Sequence, residues 1–143
     1  MAEWNAALDA VDNHMSAETA TAVRDKLDAG DIRGGQGGMR LDNGQVLDYD
    51  TAAVTDLSTE VIYVNRFTSS GASAFAYSAP DLAFVLAHEY GHVLQVAGAT
   101  PLHRRAVIRA ALNPNGFARL QADADRYACG NTSGARRRFR NSC

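Results

Sequence analysis

Apolar residues recur at helical spacing at both ends of the chain and at strand spacing between them. Trp4, Leu8 and Val11 share one face across residues 3–13, at intervals of four and three. Ser16 fits the cap of a second helix, which runs through Val23 and Leu27 to a stop at Gly30. Gly34-Gly35-Gln36-Gly37-Gly38 then reads as a flexible loop. It is not a phosphate cradle, because no Lys-Ser/Thr ending follows and no apolar strand precedes it.

The middle of the chain has the character of a small sheet. Residues 39–41 and 45–49 flank Asp42-Asn43-Gly44, and an Asn-Gly pair is a strong hairpin signal. Glu60-Val61-Ile62-Tyr63-Val64-Asn65 is rich in β-branched and aromatic side chains and reads as a further strand. Residues 66–79, rich in Ser, Ala and Gly, read as a loop.

Helical spacing returns after that loop. Ser78-Ala79-Pro80-Asp81 has a cap, a proline in the first turn and an acid at the positive end of the helix dipole. The helix carries Leu82, Val85, Leu86, Val93 and Leu94 and ends near Gly98. Residues 101–112 form another candidate helix, ended by Asn113-Pro114-Asn115-Gly116, and a last one covers residues 117–129 before Gly130. Helices, a small sheet that is antiparallel or mixed, and helices again make an α+β pattern.

Composition adds limits. With 143 residues and 46% hydrophobic content, the chain suits one domain over residues 1–143 with a sizeable core. No run of about 18 apolar residues occurs, so no membrane span is expected. Met1-Ala2-Glu3-Trp4 lacks the basic-then-apolar order of an export signal. The net charge of −2 hides a strong asymmetry: residues 1–100 carry 5 basic and 14 acidic side chains, residues 101–143 carry 9 and 2. Docking of the basic part on the acidic part is the simplest account. Nucleic acid is not an expected partner, because aromatic residues are not interleaved with Arg136-Arg137-Arg138 and Arg140.

Cys129 and Cys143 are the only two cysteines. A bridge between them would close a loop of fourteen positions and pin the C-terminus, adding about 3 kcal/mol of stability. It would also point to an oxidising, exported location, toward which the compartment leans without being decided.

His88-Glu89-Tyr90-Gly91-His92 carries the chemistry. A helix turns about 100° per residue, so His88 and His92 project from one face a turn apart. Two neutral imidazoles at that spacing can hold a zinc ion, Zn2+, through their ring nitrogens. Glu89 lies beside them, where it can act as general base on a water activated by the metal. Gly91 costs about 1 kcal/mol relative to Ala inside a helix, which suggests that another backbone or the metal site comes close there.

The segment Ala87-His88-Glu89-Tyr90-Gly91-His92-Val93-Leu94-Gln95 resembles the active-site helix of bacterial neutral zinc metallopeptidases of the zincin group. The gluzincin branch adds a downstream helix patterned Glu-x-x-Ala-Asp-x-x-Ala, whose Glu is the third zinc ligand. Gln121-Ala122-Asp123-Ala124-Asp125-Arg126-Tyr127-Ala128 resembles that helix with Gln in place of Glu. The resemblance implies a zincin-like domain that cleaves peptide or protein substrates. The amide oxygen of Gln121 is a poorer ligand than a carboxylate. Asp125 lies about 40° from Gln121 around the helix, so the two face the same way. In the resembled pattern this Asp orients a ligating His; here it is favoured as the third ligand, with Gln121 as the alternative.

Other candidates carry less. Asp123 points about 200° from Gln121. His103 follows His92 by eleven positions, farther than the metzincin spacing. Tyr127, and less so Tyr90, is a candidate donor to an oxyanion. His14 reads as surface. The rival function is a zinc-binding domain that has lost catalysis and serves as a protein-binding module.

Overall fold

The computed structural model describes residues 9, 11–35, 37–41, 44, 46–47, 51–65, 78–96 and 113–132. The expected first helix lies mostly outside them, as do the expected helix at 101–112, His103, the arginine run and Cys143. The described chain is mixed α+β.

Val11 leads into a single tight turn at Asp12–His14, and α1 spans Ala17–Asp28. Ser16 caps α1 as expected: its Oγ accepts from the Thr19 N–H at 3.3 Å, and Gly30 leaves the helix at φ +78°. Such a cap is worth about 1 kcal/mol. His14 is half-buried rather than a surface residue.

Three short strands form the sheet: β1 (Ile32–Gly35), β2 (Ala53–Asp56) and β3 (Val61–Asn65). Their order is β1-β3-β2, with β1 parallel and β2 antiparallel to β3. Gly34 and Gly35, expected in a loop, instead pair with Val64 and Asn65. The reason is space: a Cβ on Gly35 would stand 2.9 Å from Leu47 Cδ2 and 3.3 Å from the Met39 sulfur. The glycine lets Met39 and Leu47 lie against the sheet. Arg40 and Val46 form one antiparallel bridge, with Gly44 between them at φ +86°. β2 carries too short a pattern to be read from sequence.

β3 is buried on both sides because each face has its own cover. Ile62 and Val64 join Ile32 and Ala53 against Val23 of α1 and the helix that follows the sheet. Val61 and Tyr63 meet Leu41 and Leu47 on the other face. Burial of each such aliphatic side chain stabilises by about 1.5–3 kcal/mol.

Helix α2 spans Ala79–Val96 and α3 spans Pro114–Asn131. Ser78 opens α2, accepting at Oγ from the Asp81 N–H and at its carbonyl from the Leu82 N–H. Asn113-Pro114, expected to end a helix, starts α3: the Asn113 side chain accepts from the Asn115 and Gly116 N–H groups, and Pro114 occupies the first turn. Helix α3 also runs through Gly130 to Asn131, two residues beyond Cys129. Its end is tied to the start of α1, where the Ser16 N–H donates to the Asn131 carbonyl at 2.8 Å. Among the described residues no helix is long and apolar enough to cross a membrane.

Candidate metal centre

Helices α2 and α3 meet along matching small and polar stripes. On α2 the stripe is His88, Gly91, His92 and Gln95; on α3 it is Gln121, Ala124, Asp125 and Ala128, both at intervals of three, one and three. Later residues of α2 touch earlier residues of α3, so the helices run antiparallel. A Cβ on Gly91 would lie 3.1 Å from Ala124 Cα. The missing side chain is what allows the backbones this close, as its position in the sequence suggested. Phe84, Ala87 and Ala128 close the same interface below the polar groups.

That approach brings the two histidines onto α3. Their rings stand edge to face with centroids 4.9 Å apart. Gln121 Oε1 lies 2.7 Å from His88 Nε2 and 2.9 Å from His92 Nε2. Asp125 Oδ1 lies 2.8 Å from His88 Nδ1. Behind His92, Gln95 Oε1 lies 3.0 Å from Nδ1, and the Gln95 amide donates to the Leu120 carbonyl at 3.0 Å.

The partners decide where the ring protons sit. An ionised carboxylate only accepts, so His88 donates from Nδ1 to Asp125. A backbone carbonyl also only accepts, which turns the Gln95 amide nitrogen to Leu120 and its oxygen to His92, so His92 too donates from Nδ1. In the neutral rings both Nε2 atoms then carry lone pairs, and both face the same atom of Gln121. Two lone pairs directed at a carbonyl oxygen repel unless a cation or protons lie among them. This donor set fits zinc, which takes imidazole nitrogen and oxygen ligands.

The expected ligand order is therefore reversed in this geometry. Asp125 sits behind His88, on the ring nitrogen turned away from Gln121, and Gln121 stands before both rings. Among the described residues no three or more His, Cys, Asp or Glu side chains converge as a metal cage, since the third group is an amide. Asp123 is exposed and pairs with Arg126, in line with its expected outward direction.

No family model matches the chain, and no curated protein or solved structure matches it either.

Glu89 lies a third of a turn from His88 and is 6% exposed. It meets β2, where Thr55 Oγ1 donates to its Oε2 at 2.6 Å. Thr55 went unnoticed in the sequence because one threonine in a four-residue strand carries no pattern. Gln95 was detectable, being one helical turn beyond His92. The strand beside the helix is β2; residues 61–65 form β3, the middle strand of the three described, and present no sheet edge.

Tyr127 faces elsewhere. Its hydroxyl lies 2.6 Å from Thr19 Oγ1 of α1, and it sits about 200° around α3 from Asp125. That position ties α3 to α1 and does not suit an oxyanion donor. Tyr90 packs near it, ring centroids 6.2 Å apart, and burial raises its phenol above the ordinary value. Cys129 packs beside Phe84, Ala87 and Ala128 and is not a free thiol.

Proposed function

We propose that this chain is a small zincin-type zinc peptidase of the gluzincin kind. His88 and His92 hold the metal through Nε2, and the Gln121 amide oxygen takes the third position. The observation that carries this reading is the convergence of both Nε2 atoms on Gln121 Oε1, at 2.7 and 2.9 Å. Zinc bound there supplies a Lewis acid and brings a water's pKa toward neutrality.

The remaining work falls to the chain's own groups. Glu89 accepts a proton from the attacking water and returns it to the leaving amine. Thr55 holds the carboxylate from the sheet side, so its free oxygen has a defined direction. Asp125 and Gln95 keep both rings in the tautomer that leaves Nε2 unprotonated. The substrate is a peptide or protein segment added as a strand along β2, an edge among the described strands. A Cys129–Cys143 bridge, pinning the end of α3, belongs to this proposal and favours an exported protein.

The test is turnover of a mixed peptide library by the zinc-reconstituted chain. Glu89→Gln is expected to retain zinc and lose hydrolysis by at least about a hundredfold. Unchanged hydrolysis by Glu89→Gln would overturn the mechanism.

A second reading, a catalytically impaired protein-binding module, is favoured by Gln121 itself. Turned over, its amide would donate to both Nε2 atoms and close the network without a metal. Absence of turnover in the native chain, with activity gained by Gln121→Glu, would select this reading.

A further inference from the structure

We infer that Gln95 is a positioning residue that sets the proton on His92 and holds it in register with Gln121. One side chain spans the two helices. Its amide oxygen meets His92 Nδ1 at 3.0 Å, and its amide nitrogen meets the Leu120 carbonyl at 3.0 Å. Leu120 immediately precedes Gln121, whose oxygen faces the other nitrogen of the same ring at 2.9 Å. The ring is thus gripped from both sides by groups fixed to one turn of α3.

The orientation of Gln95 follows from its partners. The Leu120 carbonyl cannot donate, so the amide nitrogen must face it and the oxygen must face the ring. The ring answers with Nδ1–H, and Nε2 keeps its lone pair. His92 is 5% exposed, so water offers little substitute for this acceptor. His88 has its proton placed by a charged partner, Asp125, with 26% of its side-chain surface exposed. Gln95 does the equivalent for His92 without charge, and its bond to the Leu120 carbonyl adds a second link between the helices beside that of Asp125 to His88.

The proton placement holds for the metal-free chain whatever its activity; only the consequence for zinc rests on the peptidase reading. The experiment is long-range proton–nitrogen correlation of the histidine rings in the metal-free protein, which distinguishes the Nδ1–H and Nε2–H forms directly. His92 is identified by its loss in His92→Gln. The native chain is expected to show His92 as the Nδ1–H form. Gln95→Glu keeps an acceptor at the ring and retains that form, although it loses the donor to Leu120. Gln95→Leu removes both and lets the Nε2–H form appear. In zinc competition with a chromophoric chelator, Gln95→Leu is expected to bind about 10–100-fold more weakly, and Gln95→Glu to recover most of the loss. An Nε2–H form in the native chain would overturn the inference even if Gln95→Leu failed to fold. An unchanged tautomer in a folded Gln95→Leu would overturn it as well. Native chain that binds no zinc yet shows Nδ1–H would sink the peptidase reading and leave this inference standing.

Discussion

Gly91 and Ala124 lie back to back, with 3.1 Å between the position of a Cβ on Gly91 and the Cα of Ala124. The neighbour is backbone, so it cannot turn aside as a flexible side chain would. Gly91→Ala gains about 1 kcal/mol of helix propensity but forces α2 and α3 apart, at a cost of about 1–3 kcal/mol. The close approach is also what places Gln121 and Asp125 on the histidines. Gly91→Ala is therefore expected to be neutral to about 2 kcal/mol less stable in urea unfolding, and at least about tenfold weaker in zinc competition. Zinc affinity equal to the native value would show that the spacing does not matter.

Thr55 reaches Glu89 from the sheet. Thr55→Val keeps the shape and removes the donor to a buried carboxylate, so stability is expected to fall by about 1.5–3 kcal/mol. Thr55→Ser should restore most of it, because the hydroxyl returns. Peptide hydrolysis is expected to follow the same order, native above Ser above Val, with zinc content unchanged.

Tyr127 offers a test of what the site excludes. Tyr127→Phe loses the hydroxyl contact with Thr19, and stability should drop by about 1 kcal/mol. Because this hydroxyl faces α1, kcat is expected to stay within about twofold of native, a change far smaller than loss of an oxyanion donor produces. A kcat reduced about a hundredfold, in a folded variant, would return Tyr127 to the reaction.

Asp56 closes the turn between β2 and β3. Burial alone would raise its carboxyl, but hydrogen bonds from Ser58 and Thr59 outweigh burial and hold it below the ordinary value. The folded chain thus keeps this charge more tightly than the unfolded chain. The resulting stabilisation is complete above the unfolded pKa, near 3.8, and is lost as pH falls through the lower folded value. Urea unfolding of native protein and Asp56→Asn should therefore differ most near neutral pH, and the gap should shrink on acidification below about pH 4. A gap independent of pH would contradict the assignment.

The parts of this structure that were readable in advance are those with a repeating period or a local chemical signature. The His88–His92 helix, the Ser16 cap and the strand around Ile62 all have one. The Gly91 approach was also legible, since a helical glycine needs a reason. Gly34 and Gly35 were misread because their strand is fixed by Leu47 and Met39, which fill the space that side chains would take. Asn113-Pro114 was misread because the same residues that stop one helix can cap the next. The roles of Gln121 and Asp125 differ by which ring nitrogen each meets. A helical wheel puts both on one face and carries no information on how far each reaches across to α2.

The central claim is that His88 and His92 present two unprotonated Nε2 atoms to a shared cation beside Gln121. Its most direct test is the zinc content of the purified chain after reconstitution and removal of loosely held metal. One zinc per chain is expected, falling to none in His88→Ala and in His92→Ala while both variants stay folded. A folded native chain that retains no zinc, or a pair of histidine variants that retain it fully, would contradict the account.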